Sequence, residues 1–81
     1  MPEERLSREE LLRRQQSVPA NMTCWKHRTK DILVMISGRY IQEATGRAGV
    51  LYCHWDDPIL SWGRDLAVFL EKYEQVKPPD A

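Results

Sequence analysis

Ile32-Leu33-Val34-Met35-Ile36, followed at once by Ser37-Gly38, is the stretch on which the fold turns. Five apolar residues, three of them β-branched, are too few for a buried helix and suit a central strand. Gly38 marks a bend, and residues 39–43 continue the strand beyond it. Upstream, residues 23–28 alternate polar with aromatic or aliphatic side chains, and Arg28-Thr29-Lys30-Asp31 supplies a polar turn. Downstream, residues 44–49 hold two glycines and read as a hairpin loop, which leads into the strand Val50-Leu51-Tyr52-Cys53-His54-Trp55. Asp56-Asp57-Pro58 is a turn, because the carboxylates bond nearby backbone and Pro58 presets φ. A fourth strand follows at residues 59–62. Between Arg64 and Lys72, Leu66, Phe69 and Leu70 fall at helical spacing, and residues 73–76 form a short last strand.

The first 18 residues obey a different pattern and form an N-terminal arm, ahead of a β domain over 19–76 and a tail over 77–81. Ser7 and Glu10 make a capping box, in which hydroxyl and carboxylate satisfy backbone N–H groups at the start of a helix over residues 8–16. Its apolar residues are only Leu6, Leu11 and Leu12, too narrow a stripe for an independent core. The helix is therefore expected to dock on its own domain or a second copy, the other reading being a frayed arm. Four or five short strands with one helical turn before the last suffice for a small barrel. Closing the sheet removes exposed edges. A mainly β, SH3-like barrel has this order of elements, and a twisted sheet of three or four strands covered by the N-terminal helix is the alternative.

Composition narrows the function. The chain has 81 residues, enough for one small domain and no large buried active site. Lys plus Arg and Asp plus Glu number 12 each, so no global field attracts DNA or an anionic membrane. The apolar run at residues 32–36 is far short of the about 20 residues that span a bilayer. Residues 1–10 include Glu3, Glu4, Glu9 and Glu10 and lack the apolar stretch of a secretory signal. A cytoplasmic protein with Cys24 and Cys53 reduced is expected.

Candidate chemistry is sparse. Cys24, His27, Cys53 and His54 are zinc-ligand types, but strand neighbours point to opposite faces, so no metal and no cofactor is expected. Ser37 and Ser61 lack a nucleophile elbow, Asp56-Asp57 reads as a turn, and residues 44–49 lack the lysine of a phosphate loop. A non-enzymatic protein is expected. Charge is segregated instead. Residues 25–47 carry Lys26, Arg28, Lys30, Arg39 and Arg47 against Asp31 and Glu43, whereas residues 48–81 are acidic on balance. Cations interleaved with aromatics suit a nucleotide, since guanidinium and ammonium pair with phosphate while rings stack on bases. The candidate ligand-binding residues are Trp25, Arg28, Lys30, Arg39, Tyr40 and Arg64, the plainer reading being core aromatics and a solvated basic face. Arg64 either binds an anion or pairs with Glu71 or Asp65, the pairing being favoured. Leu11, Leu12, Trp55 and Trp62 are candidate partner-binding residues, because exposed Trp dominates interface energetics.

Trp25-Lys26-His27-Arg28, Val50-Leu51-Tyr52, the stretch Trp62-Gly63-Arg64-Asp65-Leu66-Ala67-Val68-Phe69, and Tyr73-Glu74-Gln75-Val76 together resemble a family of small, uncharacterised bacterial and phage domains. That family opens with an aromatic-x-His-basic stretch and closes with W-x-R-x-L-x-x-F. The resemblance implies an SH3-like barrel and a phage or prophage origin, and no activity. The resulting expectation is a binding module, a phage counter-defence accessory by analogy, that sequesters an anionic nucleotide-type ligand in the host cytoplasm. The alternative is a module that masks a host protein through its Trp surface and N-terminal helix. Nucleic-acid binding is the weaker option. Homo-oligomers are expected, and no membrane partner.

Overall fold

The computed structural model describes residues 6–79, so the acidic opening at 1–5 and the last two residues of the tail lie outside the described residues. The elements run α1 (Arg8–Gln16), β1 (Cys24–His27), β2 (Leu33–Ile41), β3 (Ala48–His54), β4 (Asp57–Asp65), α2 (Leu66–Lys72) and β5 (Tyr73–Val76). The five strands form one antiparallel sheet in the order β4-β3-β2-β1-β5.

Half of the capping box forms. Ser7 Oγ accepts the Glu10 N–H at 3.1 Å, but the Glu10 carboxylate turns to Arg13 and Arg14, at 2.7 and 3.2 Å. Two charged partners outbid one backbone N–H for the same oxygens. The helix docks on its own domain: Leu6 and Leu11 cover Gly46 in the β2–β3 loop, and Arg14 Nη1 donates to the Gly46 carbonyl at 3.0 Å. Gly46 has φ of 70°, and a Cβ there would run into Leu6, so the dock requires glycine on two counts. Val18, just past the helix, is buried in the core.

The bend expected at Gly38 is a β-bulge. Ile36 pairs with Tyr52 and Gly38 with Leu51, which leaves Ser37 as the extra residue of β2. Residues directly opposite share a face, so before the bulge Trp25, Val34 and His54 line up on one side, as do Ile36 and Tyr52. Beyond it Arg39 and Val50 take that side. The other face carries the row Cys24, Met35, Cys53. Both cysteines are buried and free. With Met35 between them they stand two strand spacings apart, about 9.5 Å, beyond the reach of a disulfide.

The inner face collects Val18, Trp25, Val34, Ile36, Val50, Tyr52, Phe69 and Tyr73. Phe69, on α2, is wholly buried and touches three aromatic rings: it stacks on Tyr73 with centroids 4.6 Å apart, and lies 5.2 Å from Tyr52 and 5.3 Å from Trp25. Asp65 starts α2 by accepting the Ala67 N–H at 2.9 Å, and is held by Arg47 Nε at 2.6 Å and Nη2 at 3.2 Å.

Closure into an SH3-like barrel does not occur. The mainly β class, the N-terminal helix and the helical turn before the last strand are present, but β4 and β5 end the sheet and are not paired with each other. Instead α2 runs straight from β4 into β5, and its Phe69 packs on the inner face against Trp25, Tyr52 and Tyr73. The architecture is therefore an open twisted sheet with two helices. Among the described residues, no helix is long and apolar enough to cross a membrane.

Two outcomes follow from this packing. Phe69→Ala is expected to cost about 3–5 kcal/mol, read as a lower urea midpoint. The Arg47 hydrogen bond, against burial, holds the Asp65 carboxyl below its ordinary range. A depressed carboxylate contributes stability above its unfolded value of about 3.9 and loses it as pH falls through the lower, folded value. Asp65→Asn retains a capping oxygen, and urea midpoints followed from about pH 5 to about pH 2 should therefore fall less steeply than in the parent.

Candidate anion site

The unclosed side of the sheet brings together side chains from four elements. Arg64, on β4, lies opposite the buried Val50 and so points to the inner face. Its Nε donates to the Tyr52 hydroxyl at 3.3 Å. Across the gap stands Tyr73 at the start of β5, with ring centroids 5.7 Å from Tyr52 and 5.1 Å from His27. Burial, and then the Tyr52 phenol, push the Tyr73 hydroxyl upward, while Arg64 pulls it down.

The electrostatics at His27 are one-sided. Partial burial and then Lys30, Lys72, Arg64 and Lys26 hold its imidazole below the ordinary range, and every one of those charges is positive. Its Nδ1 accepts the Thr29 N–H at 3.2 Å, so the neutral ring carries its proton on Nε2. Among the described residues, Arg64 has no carboxylate partner. The expected pairing with Glu71 or Asp65 is overturned: Asp65 is taken by Arg47, and Arg64 turns to a phenol. Trp62 sits two residues before Arg64 and opposite Tyr52, hence on the same face, and is 48% exposed. His54 lies beside it, with ring centroids 6.3 Å apart.

The structure disperses the ligand-binding set expected from sequence. Trp25 is buried, its Nε1 donating to Thr23 Oγ1 at 2.9 Å, so it is core and has no free face for a ligand. Arg28, just past β1, ties that strand to α2 and β5, through the Leu70 carbonyl at 3.0 Å and Glu74 at 3.4 Å. Tyr40 lies on the outer face over Gly49, where a Cβ would fall inside its ring. Arg39 shares the inner row with Arg64, with Val50 between them. Lys30, in the β1–β2 turn, keeps a place at the rim through its effect on His27. Of the partner-binding set, Leu11 is used within the domain against Gly46, Leu12 is 37% exposed, and Trp55 walls a cavity with Asp31 and Asp56. Tyr52, Tyr73 and Lys72 are site residues that sequence reasoning missed, while His27 and His54 entered it as zinc-ligand types.

Other chemistry finds little footing. Among the described residues, no three His, Cys, Asp or Glu side chains converge as metal ligands would. Burial pushes the Cys24 thiol up, away from its nucleophilic form. No family model, curated protein or solved structure matches this chain, so the resemblance to small bacterial and phage domains, and the origin it implied, are withdrawn together with the closed barrel.

The charge balance at the gap is open to direct measurement. Arg64→Met removes one of the cations that disfavour the imidazolium, so the NMR titration midpoint of His27 should move up toward its ordinary value of about 6.5.

Proposed function

We propose that this chain is a non-enzymatic binding module for an anion bearing a planar ring, of the nucleotide type. The observation that carries the reading is Arg64: a half-buried guanidinium bonded to a phenol, without a carboxylate among the described residues, and in a seam where the charges felt by His27 are all positive. A guanidinium in that state has donors to spare for a phosphate, and charge-assisted bonds of this kind are stronger than neutral ones. Trp62 stands two strand residues away on the same face, about 6.7 Å, a span that lets one molecule place a ring on the indole and an anionic group on Arg64. Lys72 and Lys30 add unspecific attraction at the rim.

The site moves relative to the set read from sequence. Arg64 and Lys30 are retained, Trp62 joins from the partner-binding set, and Trp25, Arg28 and Tyr40 leave. Calorimetry of the full chain at low salt against nucleoside mono-, di- and triphosphates and dinucleotides tests it. At least one member of the panel should bind, with affinity that falls as salt rises, and weaken at least tenfold in Arg64→Met and in Trp62→Ala. Arg28→Ala should bind like the parent. Absence of heat across the panel, or binding indifferent to Arg64, would overturn the reading.

A further inference from the structure

Strand β4 carries a feature that the anion seam does not use. Tyr52 pairs with Trp62 and His54 with Asp57, so two steps along β3 correspond to five along β4. The four residues Pro58-Ile59-Leu60-Ser61 stand where a regular ladder holds one, so they cannot lie flat against β3 and swell outward from the sheet. Ile59 is 88% exposed and Leu60 57%. They sit on an end strand whose outer side is unpaired. From Pro58 to Gly63 that strand carries no charge, the device by which edges are usually guarded. Exposed apolar surface of this kind marks interaction sites.

Where β3 turns into β4, just ahead of the swelling in the chain, lies a cavity of about 340 Å³, lined by Asp31, Ile32, Leu33, His54, Trp55 and Asp56. Its composition is graded. Ile32, Leu33 and the Trp55 ring supply apolar wall, and Asp31 and Asp56 supply two exposed carboxylates. Among the described residues, neither carboxylate has an ion-pair partner. Such a cavity fits the long side chain of a lysine or arginine, whose methylene stem packs on apolar surface while its head meets carboxylate and the face of an indole.

From these two neighbouring features we infer that the β4 edge docks an extended segment of another protein in which a lysine or arginine, seated in the Asp31–Asp56 cavity, is flanked by apolar residues that cover Ile59 and Leu60. Charge complementarity selects this occupant. An acidic segment would face two carboxylates, whereas a lysine or arginine pairs with them. Pro58 withholds one N–H from such an edge, so side chains carry most of the recognition and backbone pairing is confined to the residues after it.

The full chain, immobilised and panned against a random dodecapeptide library, supplies the test. Selected sequences should be enriched in Lys or Arg next to Ile, Leu, Val, Phe or Trp. A synthetic copy of the leading sequence, titrated by calorimetry, should bind at least tenfold more weakly to the double variants Asp31→Asn/Asp56→Asn and Ile59→Ser/Leu60→Ser. All four positions are exposed, and unchanged circular dichroism and melting of both doubles verify that the fold persists. Arg64→Met should bind the peptide like the parent, which separates this surface from the anion seam. Failure to select any sequence, selection of acidic peptides, or affinity unchanged in both doubles would overturn the inference. So would self-association in sedimentation that Ile59→Ser/Leu60→Ser abolishes, because the occupant would then be a second copy.

Discussion

The placement of Phe69 under the sheet governs the rest of the structure. A short chain buries only about 60% of its unfolded surface, and here a seven-residue helix delivers one ring that meets Trp25, Tyr52 and Tyr73 at once. Those three rings come from β1, β3 and β5, so a single side chain fixes the relative positions of strands far apart in sequence. Aromatic contacts of this kind are worth about 0.5–1.5 kcal/mol each beyond burial. Asp65 fixes where the helix starts, and Arg47 fixes Asp65, which links the β2–β3 loop to the far edge of the sheet.

Leaving the sheet unclosed has a cost and a consequence. The cost is two strand edges that stay open, and one of them is short and followed by Lys77-Pro78-Pro79, which cannot extend a ladder. The consequence is that the seam between β4 and β5 is not spent on backbone pairing. Arg64 on β4 donates to the Tyr52 hydroxyl, and the Tyr73 ring lies 5.7 Å from that of Tyr52. The unpaired edge thus leaves Arg64 beside a phenol, without a carboxylate partner among the described residues.

Much of the element order was legible, because periodicity and turn chemistry are local. The residues of β5 stand where the sequence placed them, α1 spans the expected helix, and the bend at Gly38 is a bulge one residue earlier. What was not legible was register. A tight turn at Trp55-Asp56 that pairs His54 with Asp57 would, continued regularly, set Tyr52 against Ile59. The swelling in β4 sets it against Trp62 instead. That one shift places Arg64 beside Tyr52 and throws Ile59 and Leu60 outward, and no propensity scale encodes it. Between the two readings of Trp25, ligand contact and core aromatic, the ladder decides for core, because the inner face is set by Val34 opposite it. Charge counted along the chain also misled, since Arg28 and Arg47 are consumed by partners from the acidic half.

Net neutrality conceals a local separation that the fold creates from residues remote in sequence. Lys30 and Asp31 are neighbours in one turn, yet Lys30 adds to the positive field at His27 while Asp31 opens into the cavity beside Trp55. His54 stands between these regions, its ring facing Trp62 on one side and lining the cavity on the other. The two surfaces therefore have opposite sign within a few residues of each other. Fields between exposed charges decay over about 8 Å at physiological ionic strength, so each surface acts on what touches it and neither steers ligands from afar. Selectivity in such a molecule rests on contact geometry: a guanidinium held by a phenol on the one hand, and a carboxylate-lipped slot beside a protruding apolar pair on the other.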